Sequence, residues 1–253
     1  MLAQRTARTV GIDPNKVWNL CIVVLFTALI GSRLLLIIAN WSVLRTHPIW
    51  MLGLSMIHHP LLAAAGATLA LLTAWIFVHQ SQMPLRATAD VLAPPLALAI
   101  AFEQVGALLA GSGYGTGTHV PWAIRYSDTL AERWSGAPIG IPVHPVQAYT
   151  ALAFLSISVF LLLWLPKRRQ HGDVAGVSLM SAGVTLFITE FWRDPIGRGS
   201  IFGGFLKGPQ ATAVVLVLTG AALLLERASQ RIAAVSSPAA GSQQQASRET
   251  MHG

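Results

Sequence analysis

Six long apolar runs govern what this chain can fold into. They extend from about Val17 to Asn40, Pro48 to Val78, Val91 to Gly111, Pro145 to Leu165, Val174 to Trp192 and Gly208 to Leu225. A helix that crosses the hydrocarbon core of a bilayer needs roughly 20 mostly apolar residues. Each run reaches or approaches that length. The second is long, and Pro60 follows His58 and His59, so it reads as a short entry segment and then a helix from Leu61. The expected fold is therefore all-α: a polytopic integral membrane helix bundle of about six transmembrane helices.

Composition supports this and removes several alternatives. Only 11% of the 253 residues are charged, against about 25% in a typical soluble domain. Seventeen Lys and Arg with ten Asp and Glu cannot coat a soluble particle of this size. The net charge of +7 is then no sign of nucleic-acid binding. No Cys/His zinc spacing, P-loop or dinucleotide fingerprint is present. Cys21 is the one cysteine, so no internal disulfide can form. The Val17 run is too long for the core of a signal peptide, and no small-residue cleavage site follows it.

Basic residues near span ends set an orientation. With the N-terminus inside, the cytoplasmic segments hold Arg5, Arg8, Lys16, Arg86, Lys167, Arg168, Arg169, Arg227 and Arg231. Six crossings return the C-terminus to the cytoplasm. The membrane domain is expected over residues 1–235. The tail from Ser236 to Gly253, rich in Ser, Gln and Ala, is expected to be disordered. The opposite side holds a long Gly- and Trp-rich segment, Ser112 to Val143. Irregular backbone cannot lie unpaired in lipid, so this segment should fold over the membrane surface or plug a cavity.

Ionisable residues inside spans need a reason. Arg33 reads equally as an arginine snorkelling to the headgroups or as an anchor for a lipid phosphate. Glu103, beside Gln104, reads as a structural partner for an intramembrane arginine such as Arg33. His58 and His59 do not share a helix face. One of them can serve as a general base or merely mark a helix entry. His144, Gln147 and Ala148 can share a face opening the fourth span, either as a headgroup site or as an interfacial belt anchored by Tyr149. Glu190 and Arg193 are three apart and can pair on one face near the end of the fifth span, with Pro195 stopping the helix. That pair is either structural, or sets a carboxylate and a guanidinium against a reacting group and a phosphate.

These blocks, in this order, resemble the prolipoprotein diacylglyceryl transferase family. Gly11-Ile12-Asp13-Pro14 is similar to the Gly-Leu-Asp-Pro that ends the family's first cytoplasmic loop. Gly31-Ser32-Arg33-Leu34 resembles its Gly-Ala-Arg-Leu, and His144-Pro145-Val146-Gln147-Ala148-Tyr149 its His-Pro-x-Gln-Leu-Tyr-Glu. Glu190-Phe191-Trp192-Arg193-Asp194-Pro195 resembles its Glu-Phe-Phe-Arg-x-Pro, and Gly208-Pro209-Gln210 the opening of its last span. The glycine-rich stretch from Gly111 to Trp122 resembles the one that follows the signature helix. The similarity covers about residues 1 to 225.

The resemblance implies a bacterial inner-membrane transferase. Such an enzyme moves the diacylglyceryl group of phosphatidylglycerol to the thiol of a lipobox cysteine in a preprotein, and glycerol phosphate leaves. It implies no metal and no cofactor. The partners implied are an anionic phospholipid, the preprotein and the membrane. Carried over residue by residue, the catalytic candidates are Glu190, His58 and Tyr149. The lipid-binding candidates are Arg33, Gln104, His144, Gln147 and Arg193.

Departures from the family pattern are specific. The signature Arg falls on Gln104, its two Asn on Ala107 and Ala110, and its Glu on Ser112. A further family Arg falls on Leu186, and the last Glu of the His-Pro block on Thr150. The family's His-Gly-Gly maps onto His58-His59-Pro60 with both glycines lost. The family has seven spans, so the chain is expected to lack the first. A non-catalytic relative that binds lipid or a membrane partner is the alternative. A transporter reading rests only on Arg33, Glu103 and Glu190, with no inverted repeat to support it.

Overall fold

The computed structural model describes residues 1–39, 41, 45, 60–194, 200–201 and 206–226. The chain opens with a short helix, α1 (Leu2–Val10), where the sequence pattern points to a loop. Ala3, Thr6 and Ala7 form its buried face. Their small size makes the helical period hard to read from hydrophobicity, but it permits close docking. Gly11, at φ 84°, ends α1 in the left-handed conformation.

Long helices follow. They are α2 (Pro14–Ala39), α3 (Pro60–Gln80) and α4 (Leu85–Ala110). After the Gly- and Trp-rich segment come α6 (Val146–Trp164), α7 (Asp173–Thr189) and α8 (Gly208–Glu226). Among the described residues, α2, α4, α6, α7 and α8 are long and apolar enough to cross a membrane, α6 and α7 each extended by a short 3-10 turn. The α3 helix stands where the second crossing is expected. Its stretch Ala65–Gln80 is apolar but shorter than a full crossing. Asn40, residues 42–44, residues 46–59 with His58 and His59, Pro195 and the residues after Glu226 lie outside the described residues.

The helices turn apolar side chains outward. Phe26, Ile30 and Ile38 on α2, Leu71 on α3, Phe102 and Leu109 on α4, Leu152 and Leu163 on α6, and Leu218 on α8 are all exposed. A water-facing surface does not tolerate so large a patch; acyl chains do. Inside, Phe154, Leu161 and Val174 are buried where α4, α6 and α7 meet, and Val91 is buried with Ala3, Ala7, Val17 and Leu20 where α4 meets α1 and α2. The α7–α8 pair packs backbone to backbone. A Cβ added to Gly220 would lie 2.5 Å from the Gly176 carbonyl oxygen, the small-residue contact expected of helices in lipid.

Pro94 and Pro95 sit inside α4. Neither has an N–H, so carbonyls one turn earlier lose their helical donors. The Val91 carbonyl, four before Pro95, accepts instead from Thr6 Oγ1 at 2.9 Å. The Pro94 carbonyl accepts from Ser158 Oγ at 2.9 Å. Asp90 is fully buried and caps α7 from a neighbouring helix, accepting from Gly172 N at 2.6 Å and Ala175 N at 2.8 Å. Arg168 Nε stands 3.7 Å from the same carboxylate. Arg86 pairs with Glu226 at 2.6 Å, and Lys16 Nζ donates to Ser81 O at 3.0 Å. These contacts gather Lys16, Arg86 and Arg168 at one end of the bundle.

The Gly- and Trp-rich segment, residues 112–143, covers the other end of the bundle. Strands β1 (Ile124–Arg125) and β2 (Pro142–Val143) pair antiparallel, Ile124 opposite Val143. Helix α5 (Thr129–Ser135) lies between them, capped by Asp128, whose side chain accepts from Leu130 N at 2.8 Å. This cap closes α4. The last carbonyls of a helix lack intrahelical donors. Here Tyr126 Oη donates to Leu108 O at 3.1 Å and Ser135 Oγ to Ala110 O at 2.9 Å. Gly111 turns the chain at φ 72°, a left-handed conformation that favours glycine, and a Cβ there would press on Ala131 at 3.0 Å and Ala137 at 3.2 Å. A second small ladder, β3 (Ser200–Ile201) with β4 (Leu206–Lys207), precedes α8.

Candidate functional site

One extended strip of backbone joins the two motif blocks. Gly115 N donates to His144 O at 3.1 Å, and His144 N donates to Thr116 O at 3.0 Å. On its other edge, Thr116 N donates to Trp192 O at 2.8 Å, and Asp194 N donates to Tyr114 O at 3.2 Å. Residues 114–116 therefore hold the start of α6 against the end of α7. The close fit explains the glycine: a Cβ at Gly115 would lie 2.5 Å from the His144 carbonyl oxygen.

On the α7 side, Glu190 is buried at 2% exposure in a 3-10 turn, Glu190–Trp192, that ends the helix. Arg193 is extended and half-buried. Its Nη2 donates to Gln104 Oε1 at 3.2 Å. Gln104 in turn donates through Nε2 to the Glu103 carboxylate. Lys207 Nζ donates to the Glu190 carbonyl oxygen at 3.4 Å. A cavity of about 320 Å³ opens between α7 and α8, lined by Leu186, Thr189, Glu190, Arg193, Pro209 and Thr212.

The α6 side is aromatic. Trp122 Nε1 donates to Tyr149 Oη at 2.7 Å, and His144 Nδ1 lies 3.4 Å from the same oxygen. Trp192 packs edge-on against the Tyr149 ring, with centroids 6.5 Å apart. Gln147 is fully buried and donates through Nε2 to Ser112 O at 2.7 Å and to Tyr126 Oη at 3.4 Å. No donor reaches Gln147 Oε1 among the described residues. Burial pushes the Tyr126 phenol above its ordinary value, with the Gln147 amide opposing it. Burial, and then the Asp194 carboxylate, push the Tyr114 phenol up as well.

The structure thus brings Gln104, Glu190 and Arg193 together, and His144, Gln147 and Tyr149 together. It does not join Arg33 to either group. Arg33 is exposed on α2, about 28 Å along the helix from Pro14 at 1.5 Å per residue. No hydrogen bond or ion pair involves it among the described residues, so the expected Arg33–Glu103 pair does not form. His144 also departs from expectation. It precedes α6, so it shares no helical face with Gln147 and Ala148. Its meeting with Tyr149 comes from a strand running into a helix. His58 lies outside the described residues.

The sequence pattern assigns no role to Lys207, Tyr114 or Tyr126, and Trp122 stands in it only as the end of the glycine-rich stretch. A signal was there: all three tyrosines of the chain fall between positions 114 and 149. All three are gathered at the capped end of the bundle.

Comparison with known proteins gives concordant matches. The family model described as prolipoprotein diacylglyceryl transferase matches residues 1–226. The phosphatidylglycerol–prolipoprotein diacylglyceryl transferase 2 of Clostridium perfringens is 26% identical over 215 residues, 83% of this chain and 78% of that protein. The phosphatidylglycerol–prolipoprotein diacylglyceryl transferase of Bordetella parapertussis is 32% identical over 152 residues, 59% of this chain and 55% of that protein. The protein of the same name from Shewanella sp. strain MR-4 is 32% identical over 163 residues, 63% of this chain and 57% of that protein. The matched region spans just over half the length of the last two.

Proposed function

Because the chain belongs to the prolipoprotein diacylglyceryl transferase family, we propose that it is a multi-pass inner-membrane transferase that moves a diacylglyceryl group from phosphatidylglycerol to a lipobox cysteine thiol of a preprotein. The observation that carries this reading is the Arg193 guanidinium reaching position 104 beside the buried Glu190. The cation that Gln104 lacks is supplied by a neighbour at hydrogen-bond distance. A guanidinium offers a phosphate a planar fork of donors.

In the reaction, the thiol proton passes to the Glu190 carboxylate, or to His58. The sulfur attacks the glyceryl carbon that bears the phosphate ester. The carbon–oxygen bond breaks, and its electron pair leaves on glycerol phosphate. Arg193, braced by Gln104, holds the phosphate as charge grows on the leaving oxygen, and Arg33, exposed on α2, is left out of this step. His144, Gln147 and Tyr149 form the second wall, with Tyr149 acting on the leaving side through His144. The basic end of the bundle faces the cytoplasm with both termini, by the excess of Lys and Arg there. The membrane domain extends over residues 1–235, with a cytoplasmic tail from 236 to 253.

A non-catalytic relative is the second reading. Gln104 and Leu186 occupy two positions where the family carries arginine, and Leu186 lines the cavity with Glu190 and Arg193. One experiment separates the two. The chain is expressed in a strain depleted of its own transferase, and a reporter lipoprotein is followed with labelled phospholipid. Label above the vector control, abolished by Glu190→Gln, is the expected result. No label, with the protein present in the membrane, sinks the enzymatic reading.

A further inference from the structure

We infer that Trp122 is a positioning residue: through Tyr149 it fixes His144 as the tautomer protonated at Nε2, a hydrogen-bond donor for the phosphate of the lipid. The inference deepens the proposed function and rests on it for the identity of the phosphate.

The chain of reasoning is a count of protons. An indole N–H can only donate. At 2.7 Å from Tyr149 Oη it takes that oxygen as acceptor. The phenol has one proton, and the acceptor within reach of it among the described residues is His144 Nδ1, at 3.4 Å. A neutral imidazole that accepts at Nδ1 carries its proton at Nε2. No acceptor for Nε2 is present among the described residues, so that N–H is left to donate to a bound group.

The geometry has independent support. The His144 backbone is tied at both its N–H and its carbonyl by residues 115 and 116, so the point from which the ring projects is fixed. The Tyr149 ring contacts His144 on one side, with centroids 6.3 Å apart, and Trp192 on another. Trp192 O in turn binds Thr116 N, closing the circuit onto the strip that leads to Arg193. The residues that carry the His144 ring and the Arg193 guanidinium are thus joined by one piece of backbone, residues 114–116. The arrangement also commits the Tyr149 proton. Tyr149 then acts through His144 and gives no proton to the leaving group itself.

The test uses the full chain in phosphatidylglycerol nanodiscs with 15N-labelled histidine. The His144 signals are assigned by their loss in His144→Gln. An unprotonated Nδ1 and a protonated Nε2 are expected. Trp122→Phe, which keeps a ring but no donor, should give a mixture of tautomers. Tyr149→Phe should do the same, and serves if Trp122→Phe does not fold. A protonated Nδ1 in the unsubstituted chain overturns the inference, as does an unchanged pattern in the folded variants. Lipid retention supplies the second readout. Gln sets an amide N–H near the Nε2 position, whereas Asn sets one near Nδ1. His144→Gln should keep phosphatidylglycerol retention within about threefold, and His144→Asn should lose about tenfold. Equal loss in both overturns the donor role. The nitrogen signals do not depend on turnover, so a chain inactive in lipidation with the expected tautomer would reject the transferase reading and leave this one standing.

Discussion

Thr6 Oγ1 donates to the Val91 carbonyl across the α1–α4 contact at 2.9 Å, filling the place that Pro95 leaves empty. The bond joins two distant parts of the chain, 85 residues apart in sequence. Thr6 and Val91 are both buried. Thr6→Val keeps the shape and removes the donor, so an unsatisfied carbonyl remains. That costs about 1–3 kcal/mol. Pro95→Ala restores an N–H within α4 and should shrink the penalty. Thermal unfolding of the two single variants and the double variant, as a cycle, checks this. Additive losses would show that Thr6 does not serve the proline.

The α7–α8 contact predicts two opposite responses to added carbon. Gly220→Ala sets a Cβ against the Gly176 carbonyl and the Met180 side chain. The helices must separate, at about 1–3 kcal/mol. At Gly106 on α4 a Cβ meets nothing within 4 Å. Gly106→Ala should therefore be neutral or gain up to about 1 kcal/mol from lost chain entropy. Melting temperatures in detergent read both.

Arg193→Lys keeps the charge and loses the fork. A charge-assisted hydrogen bond is worth roughly 1.5–3 kcal/mol, so phosphatidylglycerol binding should weaken by about tenfold or more. Neutral lipid should bind as before. Titration with nanodiscs of the two compositions checks this; an equal loss for both lipids would mean that Arg193 supports the fold and not the headgroup.

The cap should loosen at alkaline pH. Tyr114 and Tyr126 both have folded-state phenol pKa values raised above 10.0, chiefly by burial. The stability this confers is complete below the unfolded value and is lost as pH rises through the folded one. Hydrogen exchange over residues 111–143, corrected for the intrinsic rate, should accelerate above about pH 10. Tyr126→Phe cannot ionise and should flatten that rise. It should also open the end of α4 at neutral pH, because Leu108 O loses its donor.

The motif blocks were legible because each is local. Glu190 and Arg193, or His144 and Tyr149, lie within one turn or so of each other in sequence, and their residue types alone mark a polar site at a span end. The contact of Gln104 with Arg193 was not legible, since it joins residues 89 apart. Nor was the role of Trp122, which looks like any interfacial tryptophan until its N–H has a partner. The short α1 escaped because alanine and threonine carry little hydrophobic period.

The sequence by itself determined that this chain is a membrane helix bundle. Acyl-chain surroundings demand long runs of apolar side chains and internally bonded backbone, and both demands are written along the chain. It also determined which short blocks carry polar chemistry. Only the tertiary structure decided how those blocks meet. Residues 114–116 bind His144 on one edge and Trp192 on the other through main-chain groups. Every residue has such groups, so side-chain identity could not announce that pairing.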